Sequence, residues 1–241
     1  MKKNIYVQTN ENFASYTHIK KHDFMIIHDP QPLPLIQFYN KRQPWIWRCH
    51  IDISAPDRDL WNYLKKFILK YDKVIVSSKD YMSDDLPMDY KIITPGIDPL
   101  TSKNKPITVS VIEKYLKKYG VPNDKPLITQ ISRFDKWKDP VGVIEVFKRV
   151  KEVIDCRLVL CGNMATDDPE GFVIFEQIQK HAKDFVKSGD IILITAENNI
   201  LVNALQRKSN VIIQKSIREG FGLTVTEALW KETPVVTSKV G

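Results

Sequence analysis

The sequence predicts an α/β protein built on two parallel sheets, the first of them incomplete, and three observations carry that expectation. Short runs rich in Ile and Val alternate with segments of helical periodicity almost throughout the 241 residues. The runs are mostly four to six residues long, as buried parallel strands are. A polar stretch opened by Pro95-Gly96-Ile97-Asp98-Pro99 interrupts the rhythm, which predicts a linker over 96–106 between domains at 1–95 and 107–241.

In the first domain, strands are expected at Phe24–His28, Trp45–His50, Lys73–Ser77 and Tyr90–Ile93. Between them lie Leu33–Tyr39 and Asp57–Lys70, and in the latter Leu60, Tyr63, Leu64, Phe67 and Ile68 recur at helical spacing. In the second domain, strands are expected at Leu127–Ile131, Arg157–Cys161, Ile191–Thr195, Val211–Gln214 and Val235–Ser238. Helices are expected at Val109–Tyr119, Val141–Val153, Phe172–Phe185, Asn199–Lys208 and Leu223–Lys231. Ligands of such sheets bind outside the carboxyl ends of the strands.

Composition narrows the function classes. No run approaches the roughly 18 apolar residues of a membrane span, and Met1-Lys2-Lys3-Asn4-Ile5-Tyr6 lacks the apolar core of a secretory signal. Cys49, Cys156 and Cys161 are too few and irregular for a disulfide framework or a zinc site, so buried reduced thiols in a cytoplasmic protein are expected. Cys156 and Cys161 bracket one apolar run at odd spacing, which places them on opposite faces of a strand. The net charge of +7 comes from Lys and Arg spread along the chain, and no nucleic-acid motif accompanies it. Asp57-Arg58-Asp59 follows Pro56 at a helix start and reads as capping, not as a metal site. His18 and His22 stand four apart and read as an exposed helix face.

Two segments carry chemistry. After the strand Val211–Gln214 comes Ser216-Ile217-Arg218-Glu219-Gly220-Phe221-Gly222-Leu223-Thr224-Val225-Thr226-Glu227. Gly220 and Gly222 permit a tight turn and close approach of a ligand, and the free N–H groups of Gly222, Leu223 and Thr224 suit a diphosphate at a helix start. Glu219 and Glu227 stand on either side of that cradle, where carboxylates accept hydrogen bonds from sugar hydroxyls. After Leu127–Ile131 comes Ser132-Arg133-Phe134-Asp135-Lys136-Trp137-Lys138-Asp139, which puts Arg133 and Lys138 at the same sheet edge beside the same phosphates.

In these residues the chain resembles the family-4 retaining glycosyltransferases. The Glu219 to Glu227 spacing around Glu-Gly-Phe-Gly and the Arg133/Lys138 pair match that family's motifs in order and approximate spacing. A narrower likeness, to archaeal trehalose glycosyltransferring synthases and trehalose phosphorylases, covers nearly the whole chain. It rests on His28-Asp29-Pro30-Gln31-Pro32, Trp45-Ile46-Trp47-Arg48-Cys49-His50-Ile51-Asp52, Ser132-Arg133-Phe134-Asp135, Met164-Ala165-Thr166-Asp167-Asp168-Pro169-Glu170-Gly171 and Ser216–Trp230.

The resemblance implies a GT-B-like fold of two Rossmann-like domains and transfer of glucose from UDP- or ADP-glucose to glucose, giving trehalose with retained configuration. It implies that Arg133 and Lys138 hold the donor diphosphate, Glu219 contacts the donor sugar and Glu227 the ribose. Gly220, Phe221, Gly222, Leu223 and Thr224 would form the cradle. His50 would face the transferred sugar, and His28, Asp29 and Asp52 the acceptor side. No prosthetic group, metal, nucleic acid or membrane is implied. Inorganic phosphate as co-substrate, in a phosphorylase, and a non-catalytic nucleotide-sugar-binding remnant or one part of a split enzyme remain as alternatives.

Two departures qualify the likeness. The first 95 residues contain no glycine, so the Gly-rich opening loop of the family's acceptor domain is expected to be missing, as is the C-terminal brace beyond Gly241. A first domain short of strands exposes apolar surface, and self-association or pairing with a complementing fragment is expected. Asp139 stands where family members usually carry Gly.

Overall fold

The computed structural model describes residues 2–19, 22–163 and 170–240. The chain forms two compact units, one ending at Pro95 and the other running from Gly96 to Val240.

The first unit holds α1 (Lys2–Tyr16), β1 (Met25–His28), a 3-10 segment at Leu33–Phe38, β2 (Trp45–Arg48), α2 (Arg58–Ile68), β3 (Lys73–Val76) and β4 (Tyr90–Ile92). Its strands lie in the order β1-β2-β3-β4, all parallel. Strand alternation separates two faces. Ile27, Trp47 and Val74 fall in one register row and pack with Leu33, Leu64, Phe67 and Ile68 into the core. On the other face Ile26 is exposed, and its register partner Ile46 is only half-buried, as is Ile75. Asp57 caps α2 by accepting a hydrogen bond from the Leu60 amide at 2.9 Å, so the Asp57-Arg58-Asp59 run is a helix start. The sequence pattern does not announce α1, which presents Tyr6, Val7 and Ala14 to the core instead of a continuous apolar stripe. That helix ends at Tyr16, so His18 and His22 lie beyond it and share no helix face, a correction to the reading from spacing.

The second unit holds α3 (Val109–Lys118), β5 (Leu127–Ile131), α4 (Pro140–Lys151), β6 (Arg157–Gly162), α5 (Glu170–Ser188), β7 (Ile191–Thr195), α6 (Asn199–Lys208), β8 (Val211–Gln214), α7 (Leu223–Trp230) and β9 (Val235–Thr237). All its strands are parallel, in the order β7-β6-β5-β8-β9. Every residue of β6 is buried, because helices cover both of its faces. Cys156, Leu158 and Leu160 face Val143, Ile144 and Phe147 of α4 and Ile178 of α5. Val159 and Cys161 face Leu116 of α3 and Leu201 and Leu205 of α6. The two cysteines therefore lie on opposite faces, as their odd spacing requires, and all three thiols are free and buried. Each large aliphatic side chain so buried contributes roughly 1.5–3 kcal/mol.

The sheet order reverses between β5 and β8. Connections from β5 run outward through β6 to β7, and those from β8 run to β9 on the other side. At such a reversal the loops leaving the carboxyl ends of the two central strands, here β5 and β8, commonly frame a ligand crevice. Gly162, the last residue of β6, lets the loop after β5 pass over it: a Cβ there would stand 1.8 Å from the Ser132 carbonyl oxygen. Gly162→Ala is therefore expected to destabilise the fold by about 2–3 kcal/mol through forced displacement of the 132–134 backbone. Denaturant unfolding measures it, and an unchanged midpoint would contradict the close approach.

Candidate functional site at the sheet edges

In the second unit the two loops at the order reversal are tied together. After β5, Asp135 caps the 3-10 turn Lys136–Lys138 by accepting from the Lys138 amide at 3.1 Å, and Gln130 Nε2 donates to the Lys138 carbonyl at 2.7 Å. Asp139 then takes the left-handed conformation, φ +46°, which costs a non-glycine residue roughly 1–2 kcal/mol. Its carboxylate offsets that cost by capping α4 at the Gly142 amide, 3.1 Å away, and by pairing with Lys215. The aspartate thus preserves the backbone shape that glycine would adopt there. Across the crevice the Ile217 amide donates to the Trp137 carbonyl at 2.7 Å.

The charged centre of this crevice is Lys138 and Glu219, Nζ to Oε2 at 2.6 Å, with both side chains largely buried. The same carboxylate oxygen accepts from Ser216 Oγ at 3.1 Å and Gln214 Nε2 at 3.2 Å, and Oε1 accepts from the Gly220 amide at 3.2 Å. Burial alone would raise this carboxyl. The Lys138 ammonium, with the Gln214 and Ser216 donors, outweighs it and holds Glu219 below its ordinary value. Glu219 is therefore ionised, and Lys138, Gln214, Ser216 and the Gly220 amide orient it. Gln214 Oε1 points to a further polar contact: it is buried and has no hydrogen-bond partner among the described residues.

Arg133 leaves the same loop with its side chain 66% exposed, and its guanidinium lies 3.4 Å from Asp135. Gly222 takes φ +82° and starts α7 with no side-chain cap, so the first amides of Leu223 and Thr224 are not closed off by a side chain. Gly220 and Phe221 complete that turn, both half-buried. Glu227 is placed differently from its partner acid. It sits on the inner side of α7, only 4% exposed, with Lys103 Nζ 2.7 Å from Oε1 and Gln206 Nε2 3.4 Å from Oε2. Sequence reasoning missed Lys103, Gln206, Gln214 and Lys215. Of these, only Gln214 carries a local signal, as a polar residue closing an apolar strand. Asp167 and Asp168 of the Met164–Gly171 motif lie outside the described residues.

In the first unit the carboxyl edge gathers His28, Asp29 and His50. His28 Nδ1 and His50 Nε2 are 2.7 Å apart, with ring planes 8° from parallel. At that distance one nitrogen donates and the other accepts, so both rings cannot carry protons at the facing positions. Asp29 holds the pair's backbone: at φ +63° it accepts from the His50 amide at 2.7 Å, and its own amide donates to the Arg48 carbonyl at 2.8 Å. Beneath them Arg48 is buried, with Nη2 on Ser77 Oγ at 3.3 Å and Nη1 without a hydrogen-bond partner among the described residues. Asp52 is half-buried and accepts from the amide and hydroxyl of Ser54 at 2.8 and 2.6 Å.

Burial lowers the His50 imidazole from its ordinary 6.5, Asp29 opposes that, and Arg48 and His28 reinforce it. The unfolded chain takes up this proton at the ordinary value and the folded chain only below it. Stability carried by neutral His50 is thus lost as pH falls from 6.5 downward. An NMR titration is expected to place the His50 transition below 6.5, and His28→Ala is expected to move it back upward. A transition at or above the ordinary value in the unsubstituted chain would contradict the geometry.

Known proteins resemble this chain in sequence and in fold. Residues 1–83 match the family described as "Trehalose synthase, N-terminal domain", and residues 111–241 match "Glycosyl transferases group 1". Trehalose synthase of Thermococcus litoralis is 47% identical over 99% of this chain and 58% of its own length, and that of Rubrobacter xylanophilus is 43% identical over 91% and 54%. The chain thus spans little more than half the length of these relatives. A trehalose phosphorylase of Grifola frondosa is 28% identical over 91% of the chain and 35% of its own length. Among solved structures, an α,α-trehalose-phosphate synthase (UDP-forming) of Burkholderia vietnamiensis matches with a TM-score of 0.78 at 16% identity, covering 97% of this chain and 62% of its own. A structure described as trehalose-6-phosphate from E. coli bound with UDP-2-fluoro glucose matches at 0.77 and 15%, covering 97% and 62%. These neighbours share the two-domain GT-B architecture. With its second unit matched almost from end to end, the chain belongs to the group 1 glycosyl transferases, and among its relatives it is similar to trehalose synthases.

Proposed function

We propose that this chain carries the donor site of a retaining glucosyltransferase that moves glucose from a nucleoside-diphosphate glucose, UDP- or ADP-glucose, to glucose and so forms trehalose. The observation that carries the reading is the Lys138–Glu219 pair set in the crevice beside an uncapped helix start. Cations and amides there meet a diphosphate, and an ionised carboxylate beside them accepts from sugar hydroxyls. In the reaction the anomeric C–O bond to the diphosphate breaks, a bond to the acceptor oxygen forms on the same face, and the acceptor's proton leaves on the departing diphosphate. Arg133 and Lys138 stabilise the charge that develops on the leaving group. Glu219 orients the sugar, Gly220 to Thr224 receive the phosphates and Glu227 receives the ribose. His50 serves the transferred sugar, and His28, Asp29 and Asp52 the acceptor.

The relatives, trehalose synthases above all, support glucose and trehalose as the substrate class. A phosphorylase reading draws on the Grifola frondosa relative and the same cations. Three free, buried cysteines and a nucleotide-sugar donor support a cytoplasmic setting. The half-open face of the first sheet, with Ile26 exposed, supports association with a second copy or a complementing polypeptide.

Calorimetry with UDP and ADP is expected to show binding, and Arg133→Ala and Lys138→Ala are each expected to weaken it by about tenfold or more. Incubation with nucleoside-diphosphate glucose and glucose is expected to yield trehalose. No nucleotide binding at millimolar concentration would refute the donor site, and binding without product would leave a non-catalytic nucleotide-sugar module. Trehalose breakdown that requires inorganic phosphate would favour the phosphorylase.

A further inference from the structure

The segment Thr101–Lys105 is fastened to the second unit by a polar network that ends on Glu227. Asn203 Nδ2 donates to the Ser102 and Lys105 carbonyls at 3.0 and 2.8 Å, and Arg207 donates to the carbonyls of Asn104 and Lys105 at 3.2 and 3.3 Å. Lys231, itself buried, donates to Asn104 Oδ1 at 2.9 Å, Gln206 Oε1 at 2.8 Å and the Glu227 carbonyl at 3.1 Å. An ammonium only donates, so it fixes Gln206 with its oxygen toward Lys231 and its amide nitrogen toward Glu227 and the Thr224 carbonyl. Lys103 closes the circuit at the other carboxylate oxygen. Each oxygen of Glu227 thus has one donor, and each keeps a lone pair for another.

Burial alone is costly for such a carboxylate, and a helix residue needing only solubility would not be placed so deep. Lys103 is the member whose ammonium reaches Glu227 from outside α6 and α7, with its side chain 33% exposed. From this geometry we infer that Lys103 is a positioning residue for ribose recognition: it holds the Glu227 carboxylate aimed so that its remaining lone pairs accept from the 2′- and 3′-hydroxyls of a nucleoside diphosphate. This rests on the reading of Glu227 as the ribose acid. It adds that the segment before α3 belongs to the nucleotide site, although it lies more than a hundred residues from the motif. Lys231 is the network's other titrating cation. Burial draws its ammonium down to about 8, with Arg207 and Lys103 adding to the fall and Glu227 opposing it. Above that pH Lys231 loses its charge.

The test is calorimetry at neutral pH with UDP and ADP, each beside its 2′,3′-dideoxy counterpart. The unsubstituted chain is expected to prefer the ribonucleotide. Lys103→Met is expected to weaken ribonucleotide binding by about tenfold and leave the dideoxy affinity within about twofold, collapsing the preference. Lys103→Arg is expected to restore most of it. Equal weakening of both ligands would show a merely structural lysine and overturn the inference, as would unchanged or tighter ribonucleotide binding in Lys103→Met. Nucleotide binding with no ribose preference in the unsubstituted chain would instead remove the Glu227 reading and the inference with it. No nucleotide binding at all would remove the donor site.

Discussion

A lysine and a glutamate, 81 residues apart in sequence, meet at 2.6 Å where the second sheet reverses its strand order. Much of the site is arranged around that contact. The reversal opens a gap between the loops after β5 and β8, and two largely buried opposite charges are stable in such a gap only together. Lys138 and Glu219 satisfy each other there, with Gln214 and Ser216 taking up further lone pairs. The surrounding backbone is shaped to the same end. Asp139 takes a left-handed conformation and is held there by Gly142 and Lys215, and Gly222 turns the chain into α7 without a side-chain cap.

The carboxyl edge of the first sheet is organised on a different electrostatic principle. There the close contact is between two imidazoles, which leaves room for a proton on only one of the two facing nitrogens, and the nearby buried cation is Arg48. The second unit's loops bring a lysine and a glutamate together, whereas the first unit's edge brings two histidines together beside Asp29 and Arg48. The contrast is one of an ion pair against a stacked imidazole pair. It follows from the side chains that each sheet edge happens to collect.

Some of this was legible in the residue order and some was not. Leu127–Ile131, Ile191–Thr195 and Val211–Gln214 are strands with the bounds their apolar runs indicate, and Asn199–Lys208 is a helix with the bounds its periodicity indicates. The capping role of Asp57 was readable for the same reason, since a cap and its amide are neighbours in sequence. The helix α1 was not, because its buried side chains make no continuous stripe, and the histidines after it were credited to a helix that has already ended. The motif acids show the division most clearly. Their eight-residue spacing marked both, yet gave no hint that Glu219 would pair with Lys138 while Glu227 would sink beneath α7 onto Lys103.

The chain by itself determined where most of its strands and helices lie, that they alternate, and which residue types carry the chemistry, because hydrophobic period, caps and turn glycines act over a few residues. The three-dimensional arrangement decided the strand order, the neighbours of each loop and the partner of each buried charge. Those depend on which distant segments pack together, and a buried acid takes whichever cation the fold delivers within hydrogen-bonding reach, however remote in sequence.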